Sequence, residues 1–174
     1  MKKTGYFIPF IILLLLQICI CDFFRLSQFV VLTVLPVTVL LIPISRGTVF
    51  SLFAAFLAGL AVDLLSDGLL GLNVLSLVPV AFARRGIIRL VFGEETFARH
   101  EDISINKSGF GKMSLAIFMA QTLFLAIYIW ADGAGTRPLW FGFARYGASV
   151  ISGCVLSLIA ADILTSERKR DSRI

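Results

Sequence analysis

The chain has 174 residues, of which 58% are hydrophobic and only 16% charged, and its mean hydropathy is +0.93. Soluble domains carry about 45–50% apolar and about 25% charged residues, so this is the composition of an integral membrane protein. Six spanning helices of roughly 20 residues each leave room for short loops only, which excludes a separate catalytic or receptor domain; the net charge of +5 asks for a topological explanation before a nucleic-acid one.

Six apolar segments follow in order. The first, residues 7–24, comes after Lys2 and Lys3, as the core of a signal peptide would. No small-x-small cleavage site follows, and further apolar segments do, so it reads as a retained helix. The second, 29–44, contains Pro36 and Pro43; it predicts a kinked or broken helix whose freed carbonyls need partners within the protein. The third, 48–65, turns at Ser66, Asp67 and Gly68 into the fourth, 70–92, with Pro79 inside it. A charged loop, 93–112, holds Glu94, Glu95, Arg99, His100, Glu101, Asp102 and Lys107. The fifth segment, 113–130, leads to a turn-rich stretch at 132–138, and the sixth, 140–164, runs into a basic tail at Arg168, Lys169 and Arg170. The pattern predicts an all-α integral membrane protein, one polytopic domain over 1–174 with six transmembrane helices.

The cations orient it. With the N-terminus inside, 13 of the 16 Lys and Arg fall on the cytoplasmic side, and only Arg25, Arg137 and Arg145 lie on or near the outside. Both termini are therefore expected to be cytoplasmic, with 93–112 as a cytoplasmic loop. Arg84, Arg85 and Arg89, in the last turns of the fourth segment, read as snorkelling anchors at that interface.

Polar groups inside the apolar segments are few. Asp63 stands out, because stepping back by four gives Gly59, Ala55 and Ser51, a small-residue stripe that puts the carboxylate on a packing face. The sixth segment carries a similar stripe at Ser149, Gly153, Ser157 and Ala161, with Arg145 one step before it. Matching depth and face predict that the two stripes pack together and that Asp63 meets Arg145, against the alternative that each reaches interfacial water separately. Gln17, Gln121 and Asn73 are candidates for interhelical hydrogen bonds, and Asp162 for a solvated position near the inner end.

Reactive groups are scarce. The single His100 sits in the charged loop, so neither a Ser/His/Asp set nor a His/Cys/carboxylate metal set can be assembled. Cys19, Cys21 and Cys154 read as small buried hydrophobes, not disulfides. Gly109, Phe110, Gly111 and Lys112 fall short of a phosphate loop. No enzymatic activity, cofactor, metal or nucleic-acid partner is expected.

Residues 56–73, with Gly59-x-x-x-Asp63, the turn Ser66-Asp67-Gly68, then Gly71 and Asn73 opening another apolar helix, resemble the rod shape-determining protein MreD family; Leu14-Leu15-Leu16-Gln17 matches that family's leucine-rich run ending in Gln. The loop 93–112 is longer than the link in many relatives, and no role carries over to it. The resemblance implies a non-enzymatic scaffold of the cell-wall elongation machinery in the bacterial inner membrane, among membrane lipids. Its partner would be an MreC-like single-span protein, and through it MreB and the RodA–penicillin-binding-protein synthase. Gly59, Asp63, Gly68, Gly71 and Asn73 would shape the outer end of a helix hairpin where that partner docks, with Arg145 nearby. The family also resembles the S-component fold of energy-coupling-factor transporters, which makes a vitamin-binding transport subunit the alternative. Such subunits usually carry small residues on their first helix, where this chain has large aliphatic ones at 11–16.

Overall fold

All regular structure among the described residues is helical. The computed structural model describes residues 7–23, 30–66, 70–93, 109–133 and 139–171. Helix α1 spans Phe7–Phe23, α2 Leu35–Leu40, a single 3-10 turn Ile44–Arg46, α3 Gly47–Leu65, α4 Leu72–Phe92, α5 Phe110–Gly133 and α6 Leu139–Asp171. Five of the six predicted segments are therefore long helices close to their expected bounds. The end of the predicted 93–112 loop, from Phe110 onward, belongs to α5, and α6 runs past its apolar stretch as a rod about 50 Å long, at about 1.5 Å per residue.

The second segment departs from a spanning helix, and the reason lies in its sequence. Residues 30–34 are non-helical, α2 has only 6 residues, and a turn at 41–43 precedes the 3-10 turn. Pro36 has no N–H to offer the Leu32 carbonyl four residues back, and Pro43 none for that of Val39. Pro36 is tolerated because it falls in the first turn of α2, where N–H groups lack helical partners anyway. The β-branched Val30, Val31, Thr33 and Val34 resist helix before it. The expectation of a kinked or broken helix in this segment is thus met.

This broken segment lies at the centre. All six residues of α2 are buried, and α2 packs on α1, α3, α4 and α5. Around it, α3 with α4, α4 with α5, and α5 with α6 pack as successive neighbours. Leu35, Leu40, Ile42, Leu77, Ile88, Met113, Ile117, Phe124 and Leu125 fill the interior. The outside is apolar as well: Phe53, Phe82, Phe143 and Ile151 are all exposed. Buried polar side chains and exposed phenylalanines invert the order of a soluble domain. Gly47–Leu65, Phe110–Gly133 and Trp140–Ile163 are long and apolar enough to cross a membrane. Trp130 and Trp140, near the facing ends of α5 and α6, are largely exposed, as suits residues of an interfacial aromatic belt.

Candidate functional site

Asp63 organises the end of the α3–α4 hairpin. Gly71, with φ +91°, occupies the N-cap position of α4 and has no side chain with which to cap it. The first N–H groups of any helix lack internal acceptors, and a cap side chain normally takes those of the second and third residues. Here Asp63 does so from the neighbouring helix. Its Oδ1 accepts from the Asn73 N–H at 3.1 Å and from Asn73 Nδ2 at 2.9 Å. Its Oδ2 accepts from the N–H groups of Gly71 at 3.1 Å and Val74 at 3.2 Å. The carboxylate is 2% exposed and stands at the positive end of the α4 dipole. One turn earlier on the same face, Gly59 lets the two backbones close: a Cβ there would lie 2.8 Å from Val74 Cα. Gly59, Asp63, Gly71 and Asn73 thus form one unit, as the sequence places them. Gly68 lies outside the described residues.

Arg145 does not join that unit, which corrects the expected Asp63–Arg145 pair. Its guanidinium is bound to the carboxylate of Asp132, which faces it across the α5–α6 hairpin. The two small-residue stripes do not face each other either. Ser51, Ala55, Gly59 and Asp63 are buried toward α4, whereas Gly153 abuts the Gln121 side chain of α5. The physical reason is connectivity. α3 packs chiefly on α4 and α6 chiefly on α5, so each ion is satisfied within its own hairpin. A double-mutant cycle tests the assignment: Asp132→Ala and Arg145→Ala should be coupled by about 1 kcal/mol, the scale of a partly exposed ion pair. Asp63→Ala and Arg145→Ala should be additive. Coupling of the second pair in thermal unfolding would restore the rejected contact.

The non-helical residues 30–34 receive the polar side chains of three helices. Gln17 of α1 accepts from the Val34 N–H at 2.7 Å and donates to the Leu32 carbonyl that Pro36 leaves free, at 3.4 Å. Ser149 of α6 accepts from the Val31 N–H at 2.8 Å. Gln121 of α5 donates to the Thr33 carbonyl at 3.1 Å, and Ser157 of α6 to the same oxygen at 3.4 Å. Gln17 and Gln121 therefore bond between elements, but to the backbone of the non-helical segment and not from helix to helix.

Arg84 is the residue that sequence reasoning misplaced. It is 4% exposed, not snorkelling, and its guanidinium donates to the carbonyls of Leu40 and Ile42, with Ser51 Oγ 3.5 Å away. It thereby closes the C-terminal end of α2, where carbonyls lack helical donors. The signal was available: steps of three and four from Asn73 through Leu77 and Ala81 reach Arg84 and Ile88, all buried. Arg85 and Arg89 are exposed, as predicted for interfacial cations, and so is Asp162. Arg84→Ala should cost about 2 kcal/mol in chemical unfolding. Two buried carbonyls lose their donors, but removal of a buried charge offsets part of the loss. Arg84→Lys should recover part of the loss, and a neutral Arg84→Ala would disprove the clamp.

Among the described residues no group of three or more His, Cys, Asp or Glu side chains is placed to hold a metal. None of the three cysteines forms a disulfide; Cys19 is exposed on the apolar exterior, contrary to its expected burial, and Cys21 and Cys154 are half-buried. His100 and the acidic residues of 94–102 lie outside the described residues. No protein-family model, curated protein or solved structure matches this chain.

Proposed function

We propose that the protein is a six-pass, non-enzymatic scaffold of the bacterial inner membrane that serves cell-wall elongation by binding an MreC-like single-span partner. The observation that carries the reading is the Asp63-capped hairpin: the motif on which the MreD resemblance rests is spent on backbone geometry, with its carboxylate buried against four donors. A charged group committed in this way shapes a surface and performs no chemistry. Residues 30–46 would supply the second pass, since Ser149 near the start of α6 holds one end and Arg84 near the end of α4 the other. Such a non-helical passage is compatible with a bilayer because protein, not lipid, satisfies its backbone.

Affinity purification from mild detergent, followed by identification of bound chains, tests this. Recovery of a single-span, MreC-like protein is expected, and loss of the gene should round the cells. Unchanged morphology with intact wall insertion would remove the reading. One observation favours the transport-subunit alternative: discontinuous helices with unwound backbone often mark ligand sites in transporters. Thermal stabilisation by a vitamin, or copurification with a paired ATPase module, would decide for it. Against it, Ile11, Ile12, Leu15 and Leu16 give α1 a bulky exposed face, where such subunits usually carry small residues for coupling.

A further inference from the structure

The hydrogen-bond accounting around residues 30–34 leaves one acceptor over. Gln121 is fully buried, and while its Nε2 donates to Thr33, its Oε1 has no hydrogen-bond partner. The backbone donors of the segment are committed, the N–H groups of Val31, Val34 and Leu35 to Ser149, Gln17 and Thr33 Oγ1, and the Ser157 hydroxyl goes to the Thr33 carbonyl. Turning the amide over would set oxygen against the Thr33 carbonyl, so the orphan cannot be removed that way. A buried amide oxygen without a donor costs about 1–3 kcal/mol.

The partner must therefore be a donor, small enough for a fully buried site in which Gly153 packs against the Nε2 side of the same amide. We propose that Gln121 Oε1 binds one water molecule deep in the bundle. The water bridges to the Ser149 hydroxyl, one turn before Gly153, whose own proton remains available after it accepts from Val31. This site goes beyond the scaffold reading and does not depend on it. It completes the side-chain straps that fix the broken segment, in the manner of buried waters that pair otherwise unsatisfied groups.

A structure of the protein in lipid nanodiscs, at a resolution that shows ordered solvent, tests the site directly. A solvent peak within about 3.2 Å of Gln121 Oε1 is expected. Water-edited solid-state NMR in bilayers should transfer magnetisation from water to the Gln121 side-chain amide, and Gln121→Met should abolish the solvent peak. An Oε1 bonded to a protein donor, or a well-ordered amide with neither peak nor transfer, overturns the proposal. If Gln121→Met does not fold, the wild-type map and spectrum still decide.

Discussion

Replacement of Asp63 by alanine is expected to lower the thermal midpoint by about 6–12 °C, the largest loss for any single polar side chain among the described residues. Four donors lose their acceptor at once: the N–H groups of Gly71, Asn73 and Val74, and the Asn73 side chain. An ordinary N-cap deletion costs about 1 kcal/mol in water, where solvent replaces the lost oxygen. Asp63 is 2% exposed, so solvent reaches the site poorly and the cost rises to about 3 kcal/mol; for a chain of this length that corresponds to about 2–4 °C per kcal/mol. Asp63→Asn should rescue little, because a single amide oxygen can serve only one pair of donors and its NH2 group opposes the other. Hydrogen exchange supplies a local readout: the amides of Asn73 and Val74 should lose protection in Asp63→Ala, while those of α5 keep it. An unchanged midpoint would mean that something other than Asp63 satisfies the first turn of α4.

The same residue shows what could be read in advance. Gly59 and Asp63 are one turn apart, so their shared face follows from helical spacing alone, and the turn at 66–68 dictates a hairpin. What the carboxylate binds was not legible, because its acceptor role depends on Gly71 leaving the cap position of α4 without a side chain. The proline pair likewise announced a broken second segment, and the need for protein partners followed from the bilayer. Which groups would supply them did not, since Gln17, Gln121, Ser149 and Ser157 come from three helices far apart in the chain. The errors at Arg84 and Arg145 share one cause. Arg84 was placed by the usual fate of cations near helix ends, and Arg145 by matching depth and face. In each case a partner close in the fold outcompeted the generic expectation: the open carbonyls of α2 for Arg84, and the hairpin neighbour Asp132 for Arg145.

Gly59→Ala is expected to destabilise the protein by about 3 kcal/mol although it adds a single methyl group to a helix. In a helix interior, alanine is ordinarily preferred over glycine by about 0.5–1 kcal/mol. Here the added Cβ would lie 2.8 Å from Val74 Cα and 2.9 Å from Val74 N, distances that real Cβ atoms do not tolerate. Those atoms are backbone at the first turn of α4, so no rotamer change relieves the contact. The two helices must part, and the parting strains the Asp63 bonds one turn away. Overpacking of this kind costs about 1–3 kcal/mol, and loss of the adjoining cap adds to it. Gly59→Leu should yield no folded protein. Gly86, also within a helix, is the internal control: nothing lies within 4 Å of its Cβ position, so Gly86→Ala should be neutral or raise stability by about 0.5–1 kcal/mol. The pair also separates fold from function. If the α3–α4 hairpin is the partner's docking surface, the copurified single-span chain should be lost with Gly59→Ala and retained with Gly86→Ala. Equal stability of the two variants in thermal unfolding would show that the hairpin is not closed at Gly59, and the docking surface proposed for it would fall with that contact.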